Sequence, residues 1–182
     1  MAGECGPAQE SFVNPAKTLA LELLDALPVI AAEGPLAGAA AARVADQLET
    51  LAGLPVTTFR LPDQRVAACS VLSGPLTSQA DDDFFRDREA DSGRRLRLLT
   101  IRDTDAGSHD GAGEREPRSA AEAMDQVLRT AGSSNVPLSA LAEHGDPARY
   151  GRLPRLARQL AVADFSAVYL ALALDAERAR SG

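Results

Sequence analysis

The sequence predicts an α/β fold, a doubly wound three-layer sandwich around a mostly parallel sheet. Three observations carry that reading. Short apolar runs occur without polar alternation, segments between them repeat apolar residues every three or four positions, and Gly or Pro marks most junctions. A strand buried on both faces has no polar side to alternate with, whereas a helix lying on a sheet needs one apolar stripe. Elements that alternate in this way stack as layers.

Residues 1–13 read as a polar, linker-like lead-in, and the domain is expected over 14–176. Asn14-Pro15 is a helix start, because Asn can accept from first-turn N–H groups and Pro needs no donor there. Leu19, Leu23 and Leu27 follow at helical spacing, with the helix ending near Ala26, since Pro28 disfavours helical geometry in the residue before it. Pro28 to Ala32 is a buried strand, broken by Glu33-Gly34-Pro35. Leu36, Ala40, Val44, Leu48 and Leu51 then mark the buried face of a helix that stops at Gly53, and Val56 to Leu61 is the next strand. Such a βαβ unit crosses over right-handed.

Ser70 to Gly74 is expected as a third short strand and Arg97 to Ile101 as a fourth. Residues 104–118, Gly-rich and charged, read as a solvated loop. Ser119 is expected to cap a helix to about Ala131, with a last strand over Val136 to Leu141. From Leu153 a long helix carries Leu156, Leu160, Ala163, Ala167, Leu170 and Leu174 on one face, and 177–182 is a tail expected to fray.

A length of 182 residues suits one domain, and 45% hydrophobic content suffices for a core. Aromatics make up 4% with no Trp, so Ala, Leu and Val must build that core. A formal charge of −7 argues against nucleic acid, which is bound by Lys and Arg clusters. Cys5 and Cys69 match neither a metal pattern nor a redox pair and are expected as free thiols. No apolar run approaches the roughly 18 residues that would span a membrane, and the N-terminus lacks a basic, apolar leader. A cytoplasmic chain with no membrane partner is expected. Asp81-Asp82-Asp83 lacks metal-loop spacing and is better explained as a helix N-terminal cap. No metal and no cofactor are expected.

Three stretches resemble a known family. Asn14-Pro15-Ala16-Lys17 through Pro55, with Arg43, Gln47 and Pro55 in a fixed spacing, is similar to the start of the second sugar-isomerase (SIS) domain of bacterial bifunctional phosphoglucose/phosphomannose isomerases. Phe59-Arg60-Leu61-Pro62-Asp63 resembles that family's acidic Pro-Glu segment. Leu156 to Leu172 resembles its closing helix. The resemblance implies an SIS-type fold and a phosphorylated hexose as ligand. It also implies a first SIS domain, missing or separately encoded, and a homodimer.

The family's isomerisation needs a carboxylate base and a group that opens the sugar ring. The position that resembles the base is Thr50, the ring-opening His position is Val66, and the tail offers Arg178 and Arg180 in place of a lysine. Glu49, one residue from the base position, is the candidate catalytic residue; its alternative is a surface helix glutamate. The turn from Glu33 through Gly34 to Gly38, with Arg43 beyond it, is the candidate substrate-binding region, because ligands meet open α/β sheets at strand carboxyl ends. A plain tight turn is the alternative there. His109 and His144 are expected in exposed turns. Arg149, Arg152, Arg155 and Arg158 form a ridge at i, i+3 that suits a solvated helix face. Three functions stay open: a sugar-phosphate isomerase domain, a catalytically degenerate module that binds a phosphosugar or completes a dimer, or a truncated pseudo-domain unable to bind ligand.

Overall fold

The computed structural model describes residues 4–77, 94–102, 115–141 and 152–181. Among the described residues nine elements follow in order: α1 (Pro15–Leu23), β1 (Ala26–Glu33), α2 (Pro35–Ala52), β2 (Thr57–Leu61), α3 (Arg65–Leu72), β3 (Arg95–Arg102), α4 (Arg115–Ser133), β4 (Leu138–Ala140) and α5 (Arg152–Ser181). Among the described residues the four strands form one sheet in the order β2-β1-β3-β4, and every pairing is parallel. The expected α/β class is the one observed.

The two faces of the sheet explain the unalternating apolar runs. Ile30, Ala32, Leu99 and Ile101 point into a core shared with α1, α2 and α5. Their neighbours Val29, Ala31, Leu96 and Leu98 point into a second core with α3 and α4. Each of these eight residues therefore has apolar partners, whichever way it faces. Small residues dominate the α2 side of the first core, where Ala37, Ala40, Ala41 and Ala52 bring the helix close to its neighbours.

Several boundaries differ from the expectation. α1 ends at Leu23 and β1 begins at Ala26, ahead of Pro28. Pro28 is tolerated because pairing with β2 starts only at Val29, so that at Pro28 the strand is bonded on the β3 side alone. The segment expected as a strand over Ser70 to Gly74 is instead the end of helix α3 and the turn after it. Ala68 and Leu72, four apart, are both buried, and short apolar runs do not reveal their period. α4 starts at Arg115, four residues before Ser119, with Pro117 in a first turn that has no need of its N–H.

Asn14 caps α1 as expected: its side chain accepts from the N–H groups of Ala16 and Lys17, and its Nδ2 donates to Gly6. Residues before it pack on the domain. Cys5 is buried, its carbonyl accepts from the Tyr169 hydroxyl, and Lys17 Nζ donates to the carbonyls of Pro7 and Gln9. α5 continues helically through the expected tail. Of its expected core face, Leu156, Ala163, Ala167, Leu170 and Leu174 are buried and Leu160 is half-buried. α5 also corrects the expectation that nothing is long and apolar enough to cross a membrane, because Leu153–Arg180 passes that test of length and composition. The same stripe that makes it apolar is seated in the first core.

Candidate functional site

Ligands bind an open parallel sheet outside its carboxyl edge, where successive connections leave toward opposite faces. That point lies between β1 and β3. β1 runs into α2, which packs on the first core, and the helix that follows β3 is α4, which packs on the second.

Glu33 ends β1 and Arg102 ends β3, opposite each other in register. The Glu33 residue is only 2% exposed, and its Oε2 lies 3.0 Å from Arg102 Nε. A carboxylate so far from water requires an opposite charge beside it. Arg102 also approaches Asp125 of α4, at 3.9 Å.

Arg60, one residue from the end of β2, pairs in register with Ala32 and therefore stands at nearly the same level. Its neighbours Phe59 and Leu61 point into the second core, so Arg60 points toward α2. There its Cδ and Nε lie 3.5 Å from the place a Cβ on Gly38 would occupy. The arginine stem thus lies across the first turn of α2, where a Cβ on Gly38 would make ordinary van der Waals contact with it. Gly34, at φ 101° and ψ 162°, makes the tight exit from β1 in a conformation that L side chains avoid. Beyond β2, Gln64 Oε1 accepts from the Arg60 N–H at 2.7 Å and fixes the turn into α3. Arg65 at the start of α3 donates to Gln126 of α4.

The β1 terminus is thus bracketed by one guanidinium on each face of the sheet, with a helix N-terminus above it. Arginines and a helix N-terminus favour an anion, and a carboxylate accepts hydrogen bonds from hydroxyl groups. Among the described residues no group of His, Cys, Asp and Glu is arranged to hold a metal.

Of the expected site residues, Glu33, Gly34 and Gly38 come together here. Arg43 lies further along α2, and its guanidinium binds Asp164 of α5 at 2.9 Å. Glu49 is about 16 Å further along the helix axis than Gly38, at 1.5 Å per residue. It is exposed and accepts from the Val56 N–H at 3.3 Å. Thr50 and Val66 are both exposed. His109, His144 and Asp81-Asp82-Asp83 lie outside the described residues, as does Arg149. Arg158 of the expected solvated ridge is half-buried and pairs with Glu4 at 3.0 Å. Arg60 and Arg102 were missed by the sequence reading. The signal was present, since each sits at the carboxyl end of a strand that the apolar runs located.

A cavity of about 430 Å³ lies apart from this edge, between the lead-in, α1, β4 and α5, with Phe12, Glu22, Ser139 and Arg158 among its walls. Ser139 donates to Glu22 there, and Arg97 binds both, at 2.8 and 3.1 Å.

The fold is that of a doubly wound α/β domain, and its β1–β3 boundary is the candidate ligand edge. The family model described as the bacterial phospho-glucose isomerase C-terminal SIS domain matches residues 12–179, and the chain belongs to that family. The family that the three resembling stretches pointed to is the one the match shows. Among solved structures, the chain is similar to a glucose-6-phosphate isomerase like protein from Thermus thermophilus, at 21% identity and a TM-score of 0.56. The match covers 94% of this chain and 48% of that one, so this chain spans about half the length of that structure. No curated protein matches the sequence significantly.

Proposed function

We propose that this SIS domain binds a phosphorylated hexose at the carboxyl edge of its sheet, as one half of a paired sugar-phosphate isomerase-type site. The observation that carries the reading is the β1 terminus set between Arg60 and Arg102, with the buried Glu33 carboxylate held by the latter. Arg60 is the phosphate contact, Glu33 accepts from a sugar hydroxyl, and Gly34 and Gly38 let the ligand approach the backbone. Family membership supports the choice of sugar phosphate over other anions. The test is calorimetric titration with fructose 6-phosphate and glucose 6-phosphate, using the chain alone and together with a first SIS domain. Affinity lost in Arg60→Ala is expected; no affinity in either setting overturns the reading.

Whether the bound sugar is turned over divides two forms of this function. Thr50 and Val66, where the family's base and ring-opening residues would stand, favour a binding module without turnover. Glu49, the catalytic candidate of the sequence, lies about 16 Å along α2 from Gly38, so an isomerase working through it would have to hold the sugar at the far end of that helix. A coupled assay converting fructose 6-phosphate to glucose 6-phosphate, with Glu49→Gln beside it, separates them. Turnover that disappears in the variant establishes an isomerase with a displaced base, and binding without turnover establishes the module.

A further inference from the structure

The cavity of about 430 Å³ under the lead-in plays no part in the sugar site. It lies toward the other end of the sheet: Arg97, which binds its wall, stands five residues before Arg102 on β3, about 16 Å along the strand. Its size is that of a small-molecule site, which spans roughly 300–1,000 Å³.

The polar groups of the wall satisfy one another in a way that leaves acceptors over. Ser139, only 5% exposed, donates its hydroxyl hydrogen to Glu22 Oε2 and accepts from Arg97 at 2.8 Å. Arg97 reaches the same Oε2 at 3.1 Å. Both contacts end on one oxygen of Glu22, so Oε1 is what this carboxylate presents to the cavity. Thr18 gives its single hydroxyl hydrogen to the carbonyls of Ser11 and Asn14 and keeps lone pairs. Arg158, the cation among the described walls, is paired with Glu4 at 3.0 Å. The remaining walls are apolar, and three of them, Phe12, Val13 and Leu138, are 81%, 59% and 50% exposed. The lead-in is held here by its backbone, because Tyr169, Asn14, Lys17 and Thr18 donate to the carbonyls of Cys5, Gly6, Pro7, Gln9 and Ser11. Its side chains Phe12 and Val13 are thereby left to line the cavity.

We propose that this cavity binds a primary ammonium carried on a compact apolar body. An ammonium has three donors and no acceptor, which matches the acceptors left over at Glu22 and Thr18. A carboxylate or phosphate would instead meet the Glu22 and Glu4 carboxylates and be repelled. The apolar body covers Phe12, Val13 and Leu138, which otherwise face water. The formal charge of −7 draws cations toward the chain. Because Glu4, Phe12 and Val13 belong to the lead-in, a ligand here also holds down the segment that carries the buried Cys5.

Phenethylamine, phenethyl alcohol and phenylpropionate share one kind of apolar body and differ in the head group, and titration calorimetry of the full chain with each is the test. The amine should bind at one site, the alcohol at least tenfold more weakly, and the acid not at all. Glu22→Gln should weaken the amine at least tenfold. Phe12→Ala should weaken it several-fold without touching the fold, since Phe12 is exposed. Saturating amine should slow the reaction of Cys5 with a thiol reagent, because the lead-in must open first, and leave Cys69 unchanged. Fructose 6-phosphate should leave the affinity for the amine as it was, so this site and the sugar site stand or fall separately. Equal affinity for the three head groups overturns the inference. So does an amine that fails to saturate at millimolar concentration, binding indifferent to both variants, competition by the sugar phosphate, or equal slowing of both cysteines.

Discussion

Glu33 and Arg102 hold the same register position on neighbouring strands and close the β1–β3 boundary with a 3.0 Å ion pair between a buried carboxylate and a partly exposed guanidinium. Removing one partner of a fully buried pair costs about 3–5 kcal/mol. Water reaches Arg102, whose side chain is 36% exposed, so Arg102→Ala should cost less, about 1–3 kcal/mol. Glu33→Gln should cost less again, because it leaves no buried charge without a partner. Urea denaturation of both variants checks the order; equal losses would contradict it.

The two glycines at the exit from β1 should respond with opposite signs. Gly34, at φ 101°, is held where an L side chain is strained, and Gly34→Ala should destabilise by about 1–3 kcal/mol. A Cβ at Gly38 would meet only the Arg60 side chain, at an ordinary 3.5 Å. Gly38→Ala should therefore gain part of the ~1 kcal/mol by which Ala exceeds Gly in a helix. Thermal melts of the pair decide this.

Arg60 is exposed, so its loss should change stability by no more than about 0.5 kcal/mol. A hydrogen bond to a charged group contributes about 1.5–3 kcal/mol, so phosphosugar affinity should fall roughly tenfold or more in Arg60→Ala. Binding of the unphosphorylated hexose should be unaffected. Titration calorimetry with both ligands separates a phosphate contact from a general distortion.

Asn14 is fully buried and ties two first-turn N–H groups of α1 to the Gly6 carbonyl. Asn14→Ala should destabilise by about 2 kcal/mol, the upper end for a lost cap. Asn14→Asp keeps the acceptor and loses the donor to Gly6, so its loss should be intermediate. Denaturant midpoints of the three proteins provide the comparison.

Burial pushes the Cys5 thiol above its ordinary range, and the Glu4 carboxylate adds to the shift. The folded chain thus holds this proton more tightly than the unfolded one. The resulting stability is complete below the usual thiol pKa near 9 and is lost as pH rises through the higher folded value. Stability should fall on the alkaline side in the wild type and fall less in Cys5→Ala. Cys69, which is half-buried, should react with a thiol reagent before Cys5.

The layered α/β architecture, the cap at Asn14, the stop at Gly53 and the apolar face of α5 were legible because each depends on neighbours in sequence. A cap needs a side chain two or three residues from its donors, and a helix face needs only a period. The strand expected over Ser70 to Gly74 failed for the same reason. Its short apolar run suits strand or helix alike, and contacts with β2 and α4 made it the end of α3. What the sequence by itself determined was the family, the class of fold and the Glu33–Gly38 turn. Only the tertiary structure brought Arg60 and Arg102, 42 residues apart in the chain, to the two faces of the β1 terminus. Parallel register sets one strand end beside another regardless of the chain between them, and no local pattern records which ends will meet.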